Sequence, residues 1–512
     1  MAYERVHSRG ADHHLRQSGD LISSLPDEIL QQILSLIRTK FAIRTSILSK
    51  RWRHVWLDTP SLSFDSFSLK AHTINQTLAR YTARKMKTFH ICTRMRQNVP
   101  YIDTWIKFAM SRNVENLTLR FDHLPSSNMP EFFYNNSSVE QLSLELHFSP
   151  MIPICYVPWT SLKKLSLSSC KLSDECTATI LSCCPILESV TLDSCDQLNV
   201  LDLSKSQHLT TLEIDRSLGP TQIVAPYIRY LSLTNFKLPC TLVDVSSLTA
   251  AILETSLCLF KNLKSEDILV VLLKMLEKLR DVEKLTFSAK FLQTLSLALA
   301  LGRCPFPSVK VNDLTLETTL SSVEFPGIEK LLQNSPGVKK LTLHVMEPGT
   351  VPLLIPIMNI DYQNLESEHV VSFIKVLLKF TKTLEKVVVR LACYIDGRGF
   401  EELLGMVSML SHEYNVSIRQ RIRRGNSSLS NWVVDLFRKN PRYICDPSNP
   451  QFAMVHSGTD DSSRVHGCAS GCWRIIGRAV VLRSNLGQKI LGSRGFSSSA
   501  NSESLESTGE CG

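Results

Sequence analysis

A chain of 512 residues with 43% apolar side chains is too long for one compact core and apolar enough to fold, which leaves two or three domains or one elongated repeat array. Its 57 Lys+Arg against 48 Asp+Glu leave a net charge of +9, concentrated at 80–96 and 419–424 and otherwise dilute, which argues against a nucleic-acid-binding protein. No run reaches the roughly 20 apolar residues of a membrane span, and the fifteen cysteines, odd in number and without paired spacing, read as reduced thiols.

Residues 1–20 contain His13, His14 and several charges but no apolar core of a secretory leader, and are expected to be disordered. Residues 21–66 read as a compact helical unit. Ser24 stands three positions before Asp27 and Pro26 falls in the first turn, where a missing N–H costs nothing. Ile29, Leu30, Ile33, Leu34 and Ile37 then form an apolar stripe at helical spacing. A second apolar set, Phe41, Ala42, Ile43, Ile47 and Leu48, leads to a basic turn, Lys50-Arg51-Trp52-Arg53, with Trp52, Val55 and Trp56 on one face. About forty residues cannot bury two tryptophans and this many aliphatics alone. The unit must pack on the rest of the chain or lend surface to another protein.

The string LPDEILQQILSLIRTKFAIRTSILSKRWRHVWLDTPSLSF resembles the F-box of plant F-box/leucine-rich-repeat proteins in the order of its Leu-Pro, Ile-Leu pairs, Arg-Thr-Ser, Leu-Ser-Lys-Arg-Trp-Arg and Trp-Leu. The resemblance implies a grip on the Skp-type adaptor of an SCF ubiquitin ligase, and through it on a cullin. The matching positions are Leu25, Pro26, Ile29, Leu30, Ile33, Leu48, Trp52 and Trp56, some touching the adaptor and others packing internally. Arg38 stands where the family usually has Pro, so the first helix is expected to run slightly longer here.

After a linker or first cap at 67–110, a six-residue pattern, apolar-x-x-Leu-x-Leu, recurs from Val114 through Val139, Leu162, Leu187, Leu198, Leu209, Ile228, Val282, Val311 and Val338 to Leu384. The early steps of 25, 23 and 25 residues fall in the range of leucine-rich repeats. The start at Leu198 splits one interval; a weaker copy at Leu248 and an amphipathic helix at 265–279 fill the gap after Ile228. Each copy is a short strand whose apolar pair points one way. No copy buries its apolar side alone, so 111–350 is expected to stack into a solenoid. The fold class is therefore α/β: a three-helix F-box, then a curved parallel sheet with helices and loops on its convex side. The outward positions Thr118, Ser143, Ser166, Thr191, Ser232, Thr286, Thr315 and Thr342 are Ser or Thr, which suit a strand sterically. Asp193, Asp202, Glu213 and Asp215 are expected to face outward on three consecutive strands as an acidic patch for a basic segment of a target protein. A solvated polar face is the plainer reading.

Residues 351–424 resemble the end of the FBD-type domain that accompanies such proteins, in SFIKVLLKFTKTLEKVVV and FEELLGMVSMLSHEYNVSI. The stretch 425–512 turns Ser-, Gly- and Asn-rich and is expected to be a disordered tail or sequence alien to the family pattern. His466, Cys468 and Cys472 lack the spacing of a zinc site. The sequence has no nucleophile elbow, zinc-protease motif, phosphate loop or dinucleotide fingerprint, and Cys183-Cys184 read as ordinary core thiols. The chain is thus expected to be no enzyme and to need no cofactor, metal, nucleic acid or membrane. It is read as the substrate-recognition subunit of an SCF-type ligase in nucleus or cytoplasm, presenting a target protein for ubiquitination and degradation. The alternative is a leucine-rich-repeat scaffold with a vestigial F-box.

Overall fold

The computed structural model describes residues 22, 24–65, 69–124, 129–134, 137–150, 159–217, 219–236, 239–255, 265–301, 305–346, part of 370–379, 383–391, 401–405 and 415–420. The leader at 1–20 and the tail at 425–512, with His466, Cys468 and Cys472, lie outside the described residues.

Three short helices come first, α1 (Asp27–Ser35), α2 (Thr39–Arg44) and α3 (Trp52–Val55). Pro26, not Ser24, stands at the N-cap of α1 and no side chain caps it; Asp27 and Glu28 in the first turn face the positive end of the helix dipole instead. Contrary to the sequence expectation, α1 stops at Ser35. Arg38 begins α2, with φ −57° and its carbonyl accepting from the N–H groups of Phe41 and Ala42. That φ is the one a proline ring imposes, so the backbone at Arg38 is one that proline could also adopt. Leu30, Leu34, Ala42, Trp52, Val55 and Trp56 close a small core of their own. Arg51 ties its ends together by donating to Asp27 (Nε to Oδ1, 2.7 Å) and to the Leu25 carbonyl.

Strands then alternate with turns and helices: β1 (Ser61–Asp65), α4 (Ala71–Arg80), β2 (Thr88–Thr93), α5 (Ile102–Ser111), β3 (Asn116–Phe121), α6 (Glu131–Tyr134), β4 (Gln141–Pro150), β5 (Lys164–Lys171) and α7 (Asp174–Ser182). Six short strands follow almost directly: β6 (Ser189–Asp193), β7 (Val200–Asp202), β8 (Thr211–Asp215), β9 (Gln222–Val224), β10 (Tyr230–Phe236) and β11 (Thr241–Asp244). The array closes with β12 (Ala250–Thr255), α8 (Ser265–Lys278), β13 (Lys284–Phe287), α9 (Ala289–Leu301), β14 (Asp313–Thr318), α10 (Phe325–Gln333), β15 (Lys340–Val345), β16 (Lys386–Leu391) and β17 (Asn415–Gln420).

Fourteen of these strands form one parallel sheet in chain order, skipping only β7, β9 and β11. The ladder runs past 111–350 on both sides, taking in β1 and β2 before it and β16 and β17 after it. The weaker copy at Leu248 is a full member, β12, between β10 and β13. Inward leucines and the helices' buried residues, such as Trp105, Ile106 and Leu272, share one continuous core, as the stacking of neighbours requires. The register sets Ser63, His90, Thr118, Ser143, Ser166 and Thr191 side by side as the middle outward column. The same column goes on through Glu213, Ser232, Ile252, Thr286, Thr315, Thr342, Val388 and Ser417. The predicted Ser and Thr positions are thus neighbours in space.

The three skipped strands pair with each other in a second sheet, ordered β11-β9-β7. Interval length explains them. From β6 to β8, β8 to β10 and β10 to β12 there are only about 20 residues, at the low end of the repeat range, and the return path is a short strand. Where the interval is about 28 residues, as between β13 and β14, it holds a helix.

The helical unit is fastened to the edge of the long sheet. The outer N–H of Ser63 on β1 donates to the Thr39 hydroxyl of α2 (2.7 Å), the Tyr81 hydroxyl donates to the Thr59 carbonyl (2.7 Å), and the Arg80 guanidinium lies 5.2 Å from the Trp56 ring centre. Thr39 is buried, so Thr39→Val keeps the shape and orphans the Ser63 N–H. The expected cost is about 1–2 kcal/mol of stability, read as a lowered urea midpoint with an unchanged slope.

Candidate adaptor-binding and target-binding surfaces

The helical unit divides its apolar residues in two. Leu30, Trp52 and Trp56, expected at the adaptor, are 0%, 6% and 1% exposed and form the internal core. They hold the unit together and offer no surface, because an amphipathic period alone does not say which residues three short helices turn toward one another. Leu25 and Ile33 are half-buried and Pro26 is exposed. Ile29 and Leu48 are exposed, and with them are four side chains not singled out as adaptor contacts: Leu36, Ile37, Phe41 and Ile47. Leu36 and Ile47 reach 80% and 86% exposure. Ile37, Phe41 and Ile47 stood in the apolar pattern already; Leu36, next to the stripe rather than on it, gave no signal.

The long sheet presents three outward columns. Beside the middle one lies a first column that includes Lys164, Ser189, Thr211, Tyr230, Ala250 and Lys284. The third column carries charges of both signs. Arg120 and Glu145 pair across β3 and β4 (2.7 Å), Asp193 and Asp215 face each other on β6 and β8, and Glu317, His344 and Arg390 align on β14, β15 and β16.

Asp193, Glu213 and Asp215 therefore come together, as the sequence led us to expect, but Asp202 does not. It sits on β7 in the second sheet, accepting from the Ser204 N–H (2.9 Å), and Ser204, through its side chain first and then this backbone bond, holds its carboxyl below the usual value. The six-residue pattern at Leu198 is a strand pattern and is silent on which sheet the strand joins. The patch also contains a cation the sequence reading missed. Arg216 binds both oxygens of Asp193 (Nε 3.2 Å, Nη2 2.7 Å) and reaches Asp215 (3.1 Å). Strict alternation puts residue 216 inward. Its φ of 48° resets the alternation, so Asp215 and Arg216 both face out and Ser217 turns in, buried. Ser169, Ser194 and Asn235, with φ of 50°, 53° and 47°, make the same step at the ends of β5, β6 and β10. Behind them Cys170, Cys195 and Ser217 turn into the core; the Cys195 thiol donates to the Leu167 carbonyl (3.4 Å) and the Ser217 hydroxyl to the Cys195 carbonyl.

From this patch a polar seam continues along the sheet. Asn235 donates to Asp215 (3.1 Å), and Lys290, at the start of α9, donates to Asn235 (3.0 Å) and to Glu254 (2.8 Å). Burial, and then the Glu254 charge, raise the Glu317 carboxyl. His344 lies between Glu317 (4.0 Å) and Arg390, whose Nη1 is 3.2 Å from the ring Nε2. A guanidinium only donates, so Nε2 is the bare nitrogen and the ring proton sits on Nδ1, toward Glu317. Burial, with help from Arg390, lowers the His344 pKa to about 4.

Burial pushes the Cys184 thiol up to about 12, the opposite of activation. Among the described residues no His, Cys, Asp and Glu group is arranged to hold a metal, and no helix is long and apolar enough to cross a membrane.

A three-helix unit with exposed apolar side chains is thus fastened to the first strand of a parallel repeat sheet. Residues 22–64 match the F-box domain, and residues 102–225 match the leucine-rich repeats of the FBD-associated F-box protein At5g56370. The chain is 50% identical to the putative F-box/LRR-repeat protein At3g18150 of Arabidopsis thaliana, over 80% of this chain and 95% of that protein. It is 48% identical to the F-box/LRR-repeat protein At3g03360 of the same plant, over 80% and 92%. The putative F-box protein At1g49610, also from Arabidopsis thaliana, is 54% identical over 65% and 86%. The chain belongs to the plant F-box/LRR-repeat protein family, whose members are non-catalytic adaptors.

The half-buried imidazole sets a pH dependence. His344 is depressed in the fold, so between about pH 6.5 and pH 4 the unfolded chain takes up a proton the folded chain refuses, and stability falls across that window. Glu317, raised in the fold, acts in the opposite sense, gaining stability as its carboxyl protonates. The expected result is that His344→Gln loses less stability than wild type between pH 6.5 and pH 4, measured by chemical denaturation at stepped pH.

Proposed function

We propose that this chain is the substrate-recognition subunit of an SCF-type ubiquitin ligase, holding a Skp-type adaptor, and through it a cullin, on the F-box and a target protein on the repeats. The observation that carries the reading is the cluster Ile29, Leu36, Ile37, Phe41, Ile47 and Leu48, all exposed within one small unit. Apolar patches of this kind are surfaces that another protein covers. Pro26 at the start of α1 and the half-buried Leu25 and Ile33 border the same helix and belong to the proposed contact. The outward face of the long sheet, including Asp193, Glu213 and Asp215, is the proposed target surface. Action in nucleus or cytoplasm is part of the same reading.

In this role the protein supplies geometry. Target lysines are held close to the ubiquitin-charged enzyme, which replaces a dilute encounter by a high effective concentration and leads to ubiquitination and degradation of the target. The second reading, a repeat scaffold with an idle F-box, leaves the exposed cluster without a purpose.

The test is co-purification with a Skp-type adaptor. Ile47→Asp with Leu48→Asp alters two exposed side chains and leaves the F-box core intact; it is expected to weaken adaptor binding at least about tenfold with an unchanged circular dichroism spectrum. Full adaptor binding by that variant, or none by folded wild type, would move the scaffold reading into first place.

A further inference from the structure

The middle column of the sheet is uncharged along its described length except at one position. Glu213, on β8, stands between Thr191 on β6 and Ser232 on β10, in a column otherwise made of Ser, Thr, His and aliphatic residues. It differs from the other outward carboxylates in its partners as well. Glu145 has Arg120, Asp193 and Asp215 have Arg216, Glu254 has Lys290, Asp313 has Lys340, and Glu317 faces His344. Among the described residues Glu213 has no ion-pair partner; the Thr191 hydroxyl donates to it at 3.3 Å. Arg216 is held by both oxygens of Asp193 and by Asp215. Three carboxylates with one guanidinium leave two negative charges uncompensated on this part of the sheet.

Tyr230 adjoins this carboxylate. It is the one Phe, Tyr or Trp of the three outward columns among the described residues, and it opposes Thr211, two positions along and one strand across from Glu213. Strand spacing and rise place the two Cα atoms roughly 8 Å apart. Burial first, and then the Glu213 charge, push the pKa of the Tyr230 hydroxyl up. The other immediate neighbours, Thr191, Thr211, Ser232 and Asp215, have short side chains, so a long side chain can reach the carboxylate from above the sheet. An anion beside an aromatic ring, with short hydroxyl neighbours, fits a cation on an alkyl or planar stem.

We propose that Glu213 is the anchor for a lysine or arginine side chain of an extended, basic segment of the target protein, with Tyr230 packing along that side chain. This rests on the outward sheet face being the target surface. Asp193 and Asp215, already tied to Arg216, position that arginine and deepen the negative field rather than take the target cation themselves.

The experiment presents the full chain, co-purified with a Skp-type adaptor, to an immobilised library of random dodecapeptides. Peptides captured by wild type are expected to be enriched in Lys and Arg, and Glu213→Gln is expected to lower their capture about tenfold. Glu213→Lys should turn the enrichment toward Asp and Glu, and Tyr230→Leu should weaken capture several-fold. Glu175→Gln, the same charge change at an exposed position on α7, should leave capture unchanged. No peptide capture by wild type, no basic enrichment, or enrichment that survives Glu213→Gln would overturn the proposal. Adaptor retention, scored in the same samples, reports on the F-box separately: its loss with basic-peptide capture intact would sink the ligase reading and leave Glu213 as a cation anchor.

Discussion

A strand of this protein cannot bury its own apolar side, and everything else in the fold answers to that. Leu142 and Leu144 on β4 are covered because Leu117 and Leu119 on β3 and Leu165 and Leu167 on β5 stand in register beside them. Register is therefore enforced by burial: a one-residue slip would move the leucines outward and the Ser and Thr column inward. The same dependence makes the ends of the array its weak points, since an end strand has a neighbour on one side only. At β1 the F-box supplies the missing cover. Thr39 accepts from the free N–H of Ser63, and Tyr81 and Arg80 bind the last turn of the helical unit.

That joint has a functional side. In the proposed role, a flexible tether would let an adaptor-bearing end and a target-bearing end wander independently, and the effective concentration of target lysines near the ligase would fall. A buried hydroxyl on a backbone N–H, a buried phenol on a carbonyl and a guanidinium over an indole hold the two at one angle instead. The part that caps the edge of the sheet thus also sets the geometry on which target transfer would depend.

The fold was legible where a pattern repeats and where neighbours share it. The apolar stripe of α1, the strands that carry the six-residue pattern and the outward Ser and Thr column follow from periodicity, whereas β1, β2, β9 and β11 were not among its copies; the weak copy at Leu248 is a strand because β10 and β13 flank it. Asp202 was misplaced because apolar-x-x-Leu-x-Leu describes a strand with one buried side, and β7 buries Leu201 and Leu203 as well as any strand of the long sheet. Which sheet it joins is decided by the short interval to the next copy. Arg216 escaped notice for a different reason. Alternation assigns it inward, and a left-handed backbone at a residue that is neither Gly nor Asn is invisible to a pattern of side-chain types. Leu30, Trp52 and Trp56 were grouped with Ile29 and Leu48 since both sets lie in one matched string, while burial separates them completely.

The two surfaces differ in how finished they are. On the sheet, most charges already have partners within the chain, and the seam from Arg216 through Asn235 and Lys290 to Glu254 is a satisfied network. A satisfied network makes a poor general adhesive, because a visiting charge must displace a bond that already exists. Selectivity then concentrates at whatever is left unsatisfied, and a lone carboxylate in a neutral column is such a place. On the F-box the opposite holds: the exposed side chains are aliphatic or aromatic, ask for no particular geometry of hydrogen bonds, and draw their energy from leaving water. An apolar surface of that kind suits a partner that is always the same. A mostly self-paired surface with one open charge suits a partner that must be told apart from many others.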